Sequence, residues 1–257
     1  MMTALFRLAA AVVAALVLGL GATGRAEERP GPLRVLLFSG QNNHDWKATT
    51  PRLQAILEAG GRFAVDVTVA PGTVATDAFA RYDAIVSNWN NWGKTVDDWP
   101  DAMKQAFLDF TRRGKGIVAV HAACASYPKW DDFQRLVGAT WGAGTGHGRV
   151  HEFKVVAKDP DHPVTKGMAP FKIRDELWHN MAKQPGIQAL ATAFSDKAAG
   201  GSGQDEPVVM ATAFGQGRGL NIVLGHDLAA MECPGFAQLL TRGAEWAATG
   251  KVREGGK

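Results

Sequence analysis

Gly116-Ile117-Val118-Ala119-Val120-His121 is the stretch on which the reading of this chain turns. A glycine, four apolar residues and then a histidine describe a short buried strand that runs straight into a polar group. Gly114-Lys-Gly116 makes the turn into it. Upstream, residues 100–112 place Met103, Ala106, Phe107 and Phe110 at helical spacing, which predicts an amphipathic helix. Three further apolar runs precede it: Asp83-Ala-Ile-Val-Ser87, Phe63 to Val69, and Arg34-Val-Leu-Leu-Phe-Ser39, which Gly40 stops. Between the first two strands, Thr49 or Thr50 is expected to cap a helix with Pro51 at its first position. That helix runs to about Ala59, where Gly60-Gly61 ends it. Strands and helices alternate, and the strands are almost continuously apolar. The expected fold class is therefore α/β, with a mostly parallel sheet and helices on both faces.

The second half is less regular. Arg149 to Ala157 and Ile173 to Trp178 read as strands around the turn Asp159-Pro-Asp-His-Pro163. Gly186 to Ala193, Pro207 to Ala213 and Gly219 to Leu224 read as further strands, and Ala198 to Gln204 as a flexible loop. Gly215-Gln-Gly-Arg-Gly219 lacks the lysine–serine pair of a phosphate loop and reads as a hairpin turn. Gly235 to Thr249 is a final amphipathic helix carrying Phe236, Leu239, Leu240 and Trp246. There is no internal repeat.

Of the 257 residues, 46% are hydrophobic and 21% charged, which are globular values. Arg7, the apolar run Leu8 to Leu20 and the small residues of Gly24-Arg25-Ala26 read as a secretory signal peptide over 1–26. From Leu8 to Thr23 the apolar core has 16 residues, short of the roughly 20 that span a bilayer, which disfavours an uncleaved anchor. Residues 27–32 form a linker, 33–250 the domain and 251–257 a disordered tail. The expected location is periplasmic or secreted, with no stable membrane insertion after cleavage. The formal charge of +3 falls to +1 without Arg7 and Arg25. With no basic stripe interleaved with aromatics, nucleic acid is not an expected partner. The two cysteines, Cys124 and Cys233, are open to two readings in an oxidising compartment: a disulfide, or two small buried residues.

In an open parallel sheet, ligands bind outside the carboxyl ends of the strands. Polar groups stand at four such ends: Asn42-Asn43-His44-Asp45-Trp46, Asn88-Trp89-Asn90-Asn91-Trp92, His121-Ala-Ala-Cys124 and Gly225-His226-Asp227. Histidine is the natural acid or base near neutral pH and the commonest metal ligand. A catalytic divalent metal takes three protein ligands and keeps one position open. His44, His121 and His226, with Glu176 from a loop, offer such a set, and His147 is a further candidate ligand. The expected cofactor is one divalent metal ion, zinc or similar. No H-E-x-x-H or C-x-x-C pattern is present, so it rests on the constellation alone.

The ordered motifs resemble the ThuA-like (trehalose utilisation) family of the class I glutamine-amidotransferase-like superfamily. They are Ser39-Gly40 with Asn43-His44-Asp45-Trp46, then Gly116-Ile-Val-Ala-Val-His121-Ala-Ala, Gly146-His147-Gly148, Asp159-Pro-Asp-His-Pro-Val-Thr-Lys-Gly167, Asp175-Glu176-Leu-Trp-His179 and Leu224-Gly225-His226-Asp227. The resemblance covers roughly residues 34 to 248. It implies a single Rossmann-like domain with a sharp strand-to-helix turn after Val120, where amidotransferases present a nucleophilic cysteine. Here His121 stands at that turn and Cys124 lies three residues on, so the ammonia-releasing chemistry is not expected. A residual amidase or peptidase acting through Cys124 is a rival reading, because a helix N-terminus can activate a thiol. The resemblance also implies that the loops of Cys124 and Cys233 are neighbours.

On this reading His121, His226 and Glu176 are the candidate catalytic residues, since the two histidines fall where the superfamily keeps its catalytic pair. His151 and His162 read as structural. The expected ligand is a small carbohydrate, a keto-sugar or glycoside, handled by hydrolase, lyase or isomerase chemistry. Sugar faces stack on flat aromatic rings, and amide side chains suit hydroxyl groups. Asn43, Asp45, Trp46, Asn88, Trp89, Trp92 and Asp227 are the candidate substrate contacts. Asp45 and Asp227 have a second reading, as helix caps or as partners orienting the adjacent histidine. The alternative function is a non-catalytic carbohydrate-binding protein on a degenerate amidotransferase-like scaffold.

Overall fold

The structure is a computed structural model that describes residues 31–92 and 99–253. The signal peptide, most of the linker and the end of the tail lie outside the described residues. In chain order the elements are β1 (Leu33–Phe38), α1 (Trp46–Glu58), β2 (Phe63–Thr68), β3 (Ala84–Ser87), α2 (Asp101–Arg112), β4 (Gly116–Val120) and α3 (Asp131–Val137). The short strands β5 (Ala139–Thr140) and β6 (Gly146–His147) follow, then β7 (His151–Ala157), β8 (Phe171–Asp175), β9 (Trp178–His179) and β10 (Ala182–Lys183). The chain ends with β11 (Gln188–Phe194), β12 (Asp205–Phe214), β13 (Gly217–Ile222), α4 (Leu228–Met231) and α5 (Pro234–Thr249).

Nine strands form one sheet in the order β2-β1-β3-β4-β13-β12-β11-β7-β8, while β5 pairs with β10 and β6 with β9 outside it. The first five strands of that order are parallel. Successive residues of β1 feed opposite cores. Val35 and Leu37 pack with Leu53 and Leu57 of α1 and Leu240 of α5. Leu36 and Phe38 pack with Phe107 of α2 and Phe133 of α3. Burial on both faces is why these strands carry no polar alternation.

The rest of the sheet corrects the expectation of a mostly parallel arrangement: β13, β12, β11, β7 and β8 pair antiparallel throughout. The physical cause is the two-residue connection between β12 and β13, Gly215-Gln216. A hairpin that short reverses the chain, whereas a parallel pair needs a long crossover. Gly215 takes φ 62°, the left-handed backbone that such a turn uses. In β7, Phe153 and Val155 are buried while Glu152, Lys154 and Val156 are exposed, the alternation of a sheet with one face in water.

α1 also differs from expectation. It begins at Trp46, capped by Asp45, whose Oδ1 accepts from Ala48 N at 3.2 Å. Thr49 and Thr50 do not cap because their hydroxyls are engaged elsewhere: Thr49 Oγ1 donates to Asp45 O at 3.0 Å, and Thr50 Oγ1 bonds Ser39 Oγ at 2.6 Å. Pro51 therefore falls inside the helix, where it forfeits an intrahelical bond. Just after β1, Gly40 has φ 100°, and a Cβ there would collide with the Val69 carbonyl. That close approach aims the following loop towards the end of β3.

Candidate functional site

The parallel half brings the carboxyl ends of β1, β3, β4 and β13 to one side. The alternating senses of β12, β11 and β7 then leave β8 running in the same direction as β13. Three strands separate β8 from β13, so a flat sheet would hold them roughly 19 Å apart at the usual strand spacing. Instead Asp175, the last residue of β8, accepts from Gly225 N at 2.7 Å, His226 N at 3.1 Å and Glu176 N at 2.8 Å. The antiparallel half thus curls back, and Asp175 clamps its edge to the loop after β13. Asp175 is 1% exposed. Burial raises its carboxyl pKa, and three backbone N–H groups oppose that by holding the charge.

The clamp delivers Glu176 into a group of imidazoles. His121 Nε2 lies 3.5 Å from Glu176 Oε2, His226 Nε2 lies 3.3 Å from Oε1, and His147 Nδ1 lies 3.5 Å from Oε1. His44 packs edge-on to His121 and His226, with ring centroids 4.7 and 4.8 Å away. Trp178 Nε1 donates to Glu176 Oε2 at 3.3 Å. Burial pushes the Glu176 carboxyl up, but the hydrogen bond and charge of His121, with the charges of His226 and His147, more than reverse it, to about 2. Burial lowers His44 to about 4, assisted by the neighbouring His121 and His226. At neutral pH the group is an ionised carboxylate beside a neutral His44.

Two tautomers follow from geometry. His121 Nδ1 is 2.6 Å from the Val223 carbonyl, and His44 Nδ1 is 3.1 Å from Asn42 Oδ1. Both partners can only accept, since the Asn42 amide nitrogen is spent on Asn88 O at 2.8 Å. Each ring therefore carries its proton on Nδ1 and turns the Nε2 lone pair towards the cluster. His121 adopts φ 46°, a left-handed conformation rare outside glycine, at the turn straight after β4. Strained backbone of this kind marks positions that the surrounding structure holds for a purpose.

A cradle of asparagines sets the loops. Asn90, 1% exposed, donates through Nδ2 to Asn43 Oδ1 at 2.7 Å, Asn42 Oδ1 at 3.1 Å and Ala122 O at 3.2 Å. Its Oδ1 accepts from Trp92 N at 3.1 Å. One amide thus ties the ends of β1, β3 and β4 together. Asn90→Ala is expected to cost about 2 kcal/mol of stability, because several buried partners lose their bonds. It should also free the His44 ring, which 15N NMR of the histidine side chains would register as mixed tautomers. A single His44 tautomer in that variant would show the cradle to be dispensable.

Beside Glu176 lies a pocket of about 210 Å³. Asn43, His44, Trp92, Trp141, His147 and Trp178 line it, with Ala122 and Ala125. Trp92, 41% exposed, meets Trp141 edge-on at 5.7 Å. Of the expected substrate contacts, Asn43 and Trp92 line this space and the others are placed elsewhere. Asn88 is 4% exposed and its Nδ2 is committed to Thr49 and Thr50, each at 3.0 Å. Trp89 stacks on Tyr127 at 5.1 Å in the aromatic core. Trp46 starts α1, with the Lys47 ammonium 5.7 Å from its ring. Asp45 caps α1, and Asp227 caps α4 through Ala230 N at 2.8 Å while its Oδ2 stays 3.5 Å from His226 Nδ1. Of the expected metal ligands, His44 and His226 join Glu176 in a group whose ligand atoms lie within 4.8 Å of one another. His121 and His147 flank that group. His151 bonds Arg149 O, and His162 packs on Trp246.

The cysteines do not pair. Cys124 is buried in the core on the α2 and α3 face, Cys233 packs against the core on the opposite face, and both are free. Cys124 is 0% exposed, and burial pushes its thiol up to about 12, which disfavours the thiolate that an amidase or peptidase reading needs.

Sequence reasoning gave no role to Asp175 or to Trp178. For Asp175 a signal exists: in Phe171-Lys-Ile-Arg-Asp175 the period-two alternation puts the carboxylate on the same buried side as Ile173. Trp178 lies in the core, at 3% exposure, and its indole N–H holds Glu176. No local pattern encodes that.

Similarity to known proteins agrees with this fold. The chain is 35% identical to a ThuA-like protein of Parabacteroides merdae, with a TM-score of 0.77 over 87% of this chain and 92% of that one. A ThuA-like protein of Bacteroides uniformis, 18% identical, gives 0.65 over 89% and 98%. A cytoplasmic protein of Salmonella typhimurium, 14% identical, gives 0.60 over 83% and 98%, and these two show the fold alone. A comparison with curated proteins found no match. The family model described as ThuA, trehalose utilisation, matches residues 34–247. With nearly the whole α/β domain inside that match, the chain belongs to the ThuA family.

Proposed function

We propose that this protein is an exported enzyme that acts on carbohydrates bearing a carbonyl group, with imidazole side chains moving the proton. The observation that carries the reading is the convergence of His44, His121, His147 and His226 on one ionised carboxylate beside a tryptophan-walled pocket. A family linked to trehalose utilisation supports the substrate class. So does the pocket, whose 210 Å³ lies below the usual range for drug-sized ligands and suits a single sugar ring. The indole faces of Trp92 and Trp141 offer flat apolar surface to the ring's C–H groups. Asn43, oriented by Asn90, presents an amide to hydroxyl groups.

Proton transfer falls to His121. Its Nδ1–H is fixed on Val223 O, so Nε2 is the basic nitrogen. That nitrogen faces Glu176 Oε2 at 3.5 Å. Taking a proton from the carbon or hydroxyl next to a sugar carbonyl turns this contact into a charge-assisted hydrogen bond. Glu176, ionised beside these imidazoles, acts as the fixed charge that stabilises the imidazolium.

The test is incubation of the tag-free chain with keto-sugars, keto-disaccharides and their unoxidised parents, followed by NMR of the products. Conversion of an oxidised sugar is expected. Trp92→Ala should raise KM about tenfold, the worth of one stacking face, with little change in kcat. Saturable sugar binding without conversion of any substrate would replace this reading with that of a carbohydrate-binding protein.

A further inference from the structure

We propose that His44, His226 and Glu176 hold a divalent first-row transition-metal ion. The proposal deepens the enzymatic reading of the same site and rests on it, although its test is independent of turnover.

The argument is a count of lone pairs and protons. His44 Nδ1–H is given to Asn42 Oδ1, so its Nε2 is a bare acceptor. His121 Nδ1–H is given to Val223 O, so its Nε2 is also bare. This ring is 3% exposed, and its Nε2 has no hydrogen-bond partner. His226 has a carboxylate at each nitrogen, Glu176 Oε1 at 3.3 Å and Asp227 Oδ2 at 3.5 Å. The Glu176 carboxylate and the His44 and His226 ring nitrogens therefore face one another across a shared space.

The ring centroids of His44, His121 and His226 lie 4.7, 4.8 and 5.5 Å apart, close enough for two of the rings to reach one ion. One divalent cation satisfies the carboxylate and the His44 and His226 lone pairs together without adding like charges. The donor geometry fits. One atom from each of His44, Glu176 and His226 lies within 4.8 Å of the other two, a span that ligands at about 2 Å from a shared ion can close with small rotations. Two imidazoles and a carboxylate form a donor set that suits zinc, iron or manganese rather than calcium or magnesium. Three protein ligands leave a position open towards the pocket that His44 and Glu176 line. The supporting contacts are of the kind that metal sites require: Asn42 fixes the His44 tautomer, and Asp175 holds the backbone of both Glu176 and His226. When bound, such an ion supplies Lewis-acid polarisation of a sugar carbonyl.

The experiment is titration of the chelator-stripped, tag-free chain with zinc by calorimetry, and with cobalt(II) by its visible absorption spectrum. One equivalent is expected to bind. Affinity should fall about 100-fold or more in His44→Ala, His226→Ala and Glu176→Gln, beyond the 10- to 100-fold cost of losing a mere supporting partner. His162→Ala, which only unpacks a ring from Trp246, should bind as the parent does. Circular dichroism checks that each variant folds, and the isosteric Glu176→Gln decides the matter if the alanine variants do not. Absence of saturable binding by the parent chain would overturn the proposal. So would unchanged affinity in folded Glu176→Gln, since the ion would then sit elsewhere. Metal binding without sugar conversion would leave this site standing and remove only the enzymatic reading.

Discussion

His121→Asn is expected to convert a carbonyl sugar roughly 10²–10⁴ times more slowly than the parent chain, the usual worth of a positioned general base. Its melting temperature should move by only a few degrees. Asparagine is the informative replacement because residue 121 sits at φ 46°. Among residues with a Cβ, asparagine tolerates that region best, whereas alanine adds backbone strain to the loss of the imidazole. The asparagine amide also offers a donor where Nδ1–H now meets Val223 O. What it cannot offer is a basic nitrogen facing Glu176. The paired measurement is kcat for a converted keto-sugar and thermal unfolding of both proteins. A parental rate in His121→Asn would remove His121 from the chemistry, and an unchanged KM alongside a lost kcat would locate its role in proton transfer rather than binding.

Asp175→Ala should destabilise the protein by roughly 3–5 kcal/mol, the largest stability effect expected of a single residue at this site. Three backbone N–H groups, of Gly225, His226 and Glu176, lose their acceptor together in a region that water does not reach. Each orphaned buried donor costs about 1–3 kcal/mol, offset in part because a buried carboxylate is itself costly. Asp175→Asn should lose about half as much. It keeps one accepting oxygen but turns an NH2 group towards an N–H that needs an acceptor. Urea unfolding followed by tryptophan fluorescence measures both. A loss below about 1 kcal/mol in Asp175→Ala would mean that the curled edge of the sheet is held by its apolar packing rather than by the clamp.

Much of this molecule was legible in the residue string. The apolar runs at 34–39, 63–69, 83–87 and 116–120 became β1 to β4, and residues 100–112 became α2 almost to the residue. These are local signals: burial on both faces of a parallel strand leaves no room for polar alternation, and one buried face on a helix leaves a 3.6-residue period. The glycine pair around Gln216 was readable as a hairpin. That hairpin already contradicted a mostly parallel sheet, because a two-residue connection can only reverse the chain.

What the sequence by itself determined was the α/β alternation and the placement of His44, His121 and His226 at strand ends, since a residue that follows an apolar run is carried to the sheet's edge by the run itself. Only the tertiary structure decided that Glu176 joins them. Its partners lie from 29 to 55 positions away in the chain, and they meet because the antiparallel half curls and Asp175 pins it. The tertiary structure likewise decided which aromatic and amide side chains face the pocket: Trp92 and Asn43 do, while Trp89 and Asn88 turn inward. A loop has no period to announce its inward face, so the direction of each side chain there is set by packing and hydrogen bonds contributed by distant segments.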